Sequence, residues 1–222
     1  MNIDDKTLLE SMLESIAGLD HVRPEDFPNI DLYMDQVTTF MEKALDSSRR
    51  YPEDKILTKT MINNYAKNRL LPSPEKMRYT RDHMLILLFI YYFKNLLSIK
   101  DIQDVLSPIT EKYFGGSEGQ DMTYIYNEVF SMEKGQIEHL RDSLLHDFEA
   151  AQTTFADEEG EAQLLLRRFA LICVLSYDVY IKKTLVEKLI DTVWTGEEEK
   201  RPGKDKKNAA KAADGEKKTK PK

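Results

Sequence analysis

Thr60, Asn63, Asn64 and Lys67 stand at i, i+3, i+4 and i+7, with Lys59 beside the first of them. On an α-helix that spacing puts all four on one face. Their chemistry suits the edge of a base pair. An Asn amide donates and accepts together and can grip adenine, a Lys ammonium reaches guanine, and a Thr methyl touches thymine. The same four residues also make an ordinary solvated helix face, so spacing alone leaves both readings open. Charge separates them. Between Arg49 and Arg81 nine Lys and Arg stand against three Asp and Glu, a net of +6, in a chain that carries −7 overall. An acidic protein that gathers positive charge around one polar helix has a reason to meet a polyanion there.

Other chemistry has little support. The four histidines, His21, His83, His139 and His146, show no metal-binding spacing. His139 and His146, seven apart near Glu138, Asp142 and Glu149, read by default as solvated helix residues. Cys173 lies in an apolar run and reads as a small buried side chain rather than a nucleophile. No nucleophile elbow, Walker or dinucleotide fingerprint appears. The glycines after Phe114 follow no strand and end in no Lys-Ser/Thr pair, so they read as a flexible loop. The expectation is a protein that is not an enzyme and has neither cofactor nor metal.

The polar face needs a support that holds it outward. Thr58, Thr80 and Ser98 each stand where a helix N-cap is expected, with an apolar residue before and another four positions inside: Leu57 with Ile62, Tyr79 with Met84, Leu97 with Ile102. Ser98 and Asp101 add a variant of the capping box. Three helices follow, the second predicted over 81–97 and joined to the third by a turn of about one residue. The second carries MLILLFIYYF, apolar nearly all round, which marks a buried helix. Upstream, 32–45 is predicted as a helix lying behind the polar one, and the eleven residues 46–56 separate the two.

From Thr58 onward this segment resembles the MerR-type winged helix-turn-helix. Thr58 stands at that family's cap Ser, Tyr65 at the second of its two tyrosines, and Leu70-Leu71-Pro72 at its closing signature. Ser73 to Tyr79 stands at its wing, and Thr80-Arg81-Asp82 at the start of its third helix. The run LTKTMINNYAKNRLLPSPEKMRYT, with Leu32 to Val37 upstream, is also similar to a YkrK-like bacterial family regarded as containing MerR-like regulators. The chain departs from the MerR pattern in its stretched first turn, in Asn63 and Asn64 where Arg and Tyr are usual, and in Met77 where an Arg is usual. The resemblance implies a docking mode on double-stranded DNA and a homodimer, without a target sequence. Base reading is then expected from Thr60, Asn63, Asn64 and Lys67, and phosphate contacts from Thr58, Lys59, Tyr65, Arg69, Lys76, Arg78 and Tyr79.

The remainder frames this unit. With 222 residues, 41% apolar and 32% charged, the chain is long enough for one or two packed domains, and nine Gly and eight Pro favour helices. One cysteine excludes an internal disulfide and fits a reducing, cytoplasmic setting. No signal peptide is read at the start, and the apolar runs are shorter than a membrane span. Residues 6–19 form an amphipathic helix. Two long helices are predicted, from Asp121 to about Ala151, interrupted at Gly135, and from about Glu161 to Trp194. The second is apolar on too wide a surface for one neighbour, as in a hairpin that also buries area between two chains. From Lys200 the tail carries ten basic residues and three acids with no large apolar side chain, and reads as disordered.

The organisation expected is mainly α: an N-terminal helix and connector at 1–29, a MerR-like winged helix-turn-helix at 30–109, a helical dimerisation or effector region at 110–195, and a disordered basic tail at 196–222. The function expected is a sequence-specific DNA-binding transcriptional regulator, dimeric and cytoplasmic, with no membrane partner and with an unidentified small-molecule or protein effector. The alternative is a protein–protein interaction module of the same fold.

Overall fold

The computed structural model describes residues 5–17, 22–117 and 119–194. The tail expected to be disordered at 196–222 lies outside the described residues, as do Gly18 and His21. The described chain is mainly α. Its elements are α1 (Asp5–Ala17), β1 (Leu32–Tyr33), α2 (Met34–Ala44), α3 (Lys59–Lys67), β2 (Arg78–Tyr79), α4 (Arg81–Phe93), α5 (Ile99–Tyr113), α6 (Met122–Ser131), α7 (Glu133–Gln152) and α8 (Gly160–Leu189). A π-helical turn, Ile190–Trp194, continues α8. Among the described residues no helix is long and apolar enough to cross a membrane.

Helix α4 is the axis of the core. Every residue from His83 to Ile90 is buried, as an all-round apolar sequence requires. Val37 and Met41 of α2, Ile62 and Tyr65 of α3, Ile102 and Leu106 of α5, and Met122 and Tyr126 of α6 close around it. Truncating one such side chain, for example Leu87→Ala, is worth about 2–5 kcal/mol. The cluster also takes in Val22 and Phe27, and the Tyr126 hydroxyl donates to the Val22 carbonyl at 2.8 Å. The boundaries expected at 29/30 and 109/110 therefore cut through packed side chains.

Several elements differ from their expected limits, each for a local reason. Leu32 and Tyr33 are not helical: they pair antiparallel with Tyr79 and Arg78, and α2 begins at Met34. Helix α4 ends at Phe93 rather than Leu97, because the backbone must turn extended at Ser98 to cap α5. The Lys94 ammonium meanwhile turns back to the Ile56 carbonyl at 2.8 Å. Ser98 and Asp101 form their capping box as expected. Helix α5 runs on through Pro108 to Tyr113. The glycine stretch after it is tied down: the Gly115 N–H donates to the Asp82 carboxylate at 2.7 Å, and Phe114 packs edge-on to His83. The long helix from Asp121 is broken at Met132, not at Gly135.

Helices α7 and α8 form the expected hairpin. In the single chain α8 buries none of its residues. Cys173, expected inside, is exposed.

Candidate nucleic-acid interface

The N-terminus of α3 is set by Thr58, whose hydroxyl accepts the Met61 N–H at 3.2 Å. Its end is a Schellman motif: Leu70 N–H bonds to the Tyr65 carbonyl and Arg69 N–H to the Ala66 carbonyl, at 2.9 and 3.1 Å. The residue between cap and exit, normally Gly, is Arg69, with φ of 58°. Leu70 and Tyr65 are both buried beneath this exit, so the inner side of α3 is locked to the core at Ile62, Tyr65 and Leu70. Thr60, Asn63, Asn64 and Lys67 are thereby left on the outer side, all four exposed.

The cationic surroundings divide. Lys59, Arg69, Lys76 and Arg78 are exposed. Lys59 forms an ion pair with Asp35 in the first turn of α2, which fastens the start of α3 to the start of α2. Arg78 lies over the Tyr33 ring, 5.7 Å from its centroid. Tyr65 and Tyr79, expected among phosphate contacts, instead lie in the core. Burial raises the pKa of both phenols, so they stay neutral. The ring carbons anchor α3 and β2, and neither tyrosine is retained as a phosphate contact.

The stretch Ser73 to Tyr79 forms a minimal hairpin. Arg78 N–H bonds to the Glu75 carbonyl at 2.9 Å, and Lys76 and Met77 between them have φ of 48° and 62°. That is a two-residue turn with both central residues left-handed. Because β2 pairs with β1, and β1 runs directly into α2, this hairpin and the start of α3 are attached to the same end of α2. Sequence reasoning missed Tyr33, Asp35 and Met77. The first two matter only through partners at 45 and 24 positions' distance, and no periodicity reveals those.

The region matches a known family model. Residues 22–129 match the model described as Domain of unknown function (DUF1836). No curated protein and no solved structure matches the chain. The matched segment coincides with the packed core, which runs from Val22 to Tyr126. It contains the whole polar face of α3 and the hairpin, and it leaves out α7 and α8. Among the described residues no group of three His, Cys, Asp or Glu is placed to hold a metal ion. An open cleft of about 290 Å³ is lined in part by Asn29, Arg81, Asp82 and Asp121. These four polar side chains already have internal partners: Arg81 donates to Asn29, Asp82 accepts from Gly115, and Asp121 caps α6.

Proposed function

We propose that the α2–α5 region is a winged helix-turn-helix that reads double-stranded DNA. In this reading the protein is a transcriptional regulator acting as a dimer through its C-terminal helices. The supporting observation is the division of α3: an inner side fixed in the core, and an outer side on which Thr60, Asn63, Asn64 and Lys67 are all exposed. A helix held rigidly from behind, with amides and an ammonium facing out, is the geometry that major-groove reading requires. Lys59, Arg69, Lys76 and Arg78 serve the phosphates, which position the helix without reading sequence.

The test is selection of duplexes from a random pool, followed by binding at two salt concentrations. Affinity should fall with a log–log slope of about 0.9 per phosphate contacted. Asn63→Ala and Asn64→Ala should each reduce discrimination between selected and random duplex by about 1–3 kcal/mol per lost base contact. Lys67→Ala should act similarly, and Arg69→Ala should weaken all duplexes alike. Equal losses on selected and random duplex for the Asn variants would remove those residues from base reading. A second reading, a protein-interaction module, draws on the exposed apolar surface of α8. It prevails if the pool yields no enriched duplex.

A further inference from the structure

The hairpin tip carries a cost that turn formation alone does not explain. A two-residue turn with both φ values positive is ordinarily built from Asn-Gly or Gly-Gly, because a Cβ is strained there. This chain uses Lys76 and Met77, at 48° and 62°. Met77 is also 75% exposed, more than any other large apolar side chain among the described residues. Strain kept at a solvent-facing tip points to a role for the side chains themselves. The flanking residues say what the tip would meet. Lys76 and Arg78 bracket Met77, both exposed, and Arg78 is steadied over Tyr33. Glu75 supplies the one acid of the turn. An apolar side chain between two cations suits neither a lipid core nor an apolar protein groove as well as it suits a nucleic-acid groove walled by phosphates.

We infer that Met77 is an apolar wedge for the minor groove, pressed against a base step beside the site where α3 lies and held by Lys76 and Arg78 on the flanking phosphates. The inference rests on the DNA-binding reading above. Methionine is among the side chains used this way, and such contacts partly unstack a step and bend the duplex. The attachment of hairpin and α3 to one end of α2 places both on one side of the domain.

The experiment uses the full chain and a duplex selected from a random pool, with 2-aminopurine scanned through the steps flanking the protected region and dyes at the two ends. Wild type should raise the fluorescence of 2-aminopurine at one flanking step and bring the duplex ends closer. Met77→Ala should lose both signals and weaken binding about tenfold, while discrimination at the bases read by α3 persists. Met77→Gly should lose the same signals yet raise the melting temperature of the free protein, because it relieves the left-handed strain. That opposition separates a wedge from a merely structural residue. Binding by both variants with wild-type bend and fluorescence would overturn the wedge and leave the DNA-binding reading standing. Failure of wild type to enrich any duplex would overturn both.

Discussion

At the scale of the residue, His83 shows how one side chain can join three elements. It occupies the third position of α4, where Glu or Gln usually completes a capping box, and its Nδ1 accepts the Thr80 N–H at 3.0 Å. Its ring stands edge-on to Tyr79 of β2 and to Phe114 beyond α5. Burial holds its pKa down at about 4, outweighing the attraction of Asp31; Nε2 has no partner of good geometry, though the Pro72 carbonyl slightly favours the charged ring. Below pH 6.5 the unfolded chain takes up a proton that the folded chain refuses until about pH 4. The neutral ring therefore contributes stability that is complete above pH 6.5 and lost as pH falls toward 4. The expected loss is about 3 kcal/mol from this residue. His83→Gln keeps an acceptor for Thr80 and removes the titration. Chemical denaturation at pH 7 and pH 4.5 should show a smaller acid loss in that variant than in wild type, and equal losses would refute the assignment.

At the scale of the element, the telling junction lies between α5 and the π-helical turn after α8. Pro108 inside α5 has no N–H to give, which leaves the Asp104 carbonyl without its helical donor. The Trp194 indole N–H, 90 residues away, donates to that carbonyl at 2.9 Å. The C-terminal hairpin is thus fastened to the domain at a mid-helix backbone acceptor that Pro108 leaves without its helical donor. Trp194→Phe should destabilise the protein by about 1 kcal/mol, the ordinary net worth of a hydrogen bond. Pro108→Ala gives the carbonyl a helical donor again. In that background the Trp194→Phe cost should shrink, so thermal melts of the two single variants and the double variant form a cycle with a measurable coupling. Strict additivity would show that the Trp194 contact is independent of Pro108, and no cost for Trp194→Phe alone would show that the contact carries no energy. Helix α3 teaches a related lesson: its cap and its apolar positions were legible as sequence, whereas its left-handed exit at Arg69 was not. A Cβ is strained in that conformation, and at Arg69 the burial of Leu70 and Tyr65 around the exit offsets the strain.

At the scale of the molecule, α8 is the anomaly. Twelve of its large apolar side chains are between 38% and 68% exposed. At roughly 100 Å² each, they offer on the order of 1,200 Å² per chain, against the roughly 800 Å² per partner of a standard interface. Leu165, Ile172, Val179 and Val186 recur every seven residues among them, the repeat that lets one helix lie along another. Wild type is expected to run as two chains by light scattering. Ile172→Lys should give one chain with an unchanged far-ultraviolet spectrum, because Ile172 is already exposed in the single chain, and a lower melting temperature, because the partner's contribution to stability is lost. The same variant should bind a selected two-half-site duplex more weakly than wild type but a single half-site equally. A wild type that runs as a single chain would refute the pairing.

What the sequence determined by itself was whatever depends on neighbours within a turn or two. It yielded the caps at Thr58 and Ser98, the buried character of α4, the hairpin of α7 and α8, and the common face of Thr60, Asn63, Asn64 and Lys67. These follow from helical periodicity and from hydrogen bonds that close over three or four residues. Only the tertiary structure decided that Tyr65 and Tyr79 turn inward, that Tyr126 belongs to the same core as Val22, and that Trp194 answers Pro108. Each of these joins groups far apart along the chain. Local pattern says which side chains are apolar or which backbone groups are orphaned, and the folded chain alone says which distant partner meets them.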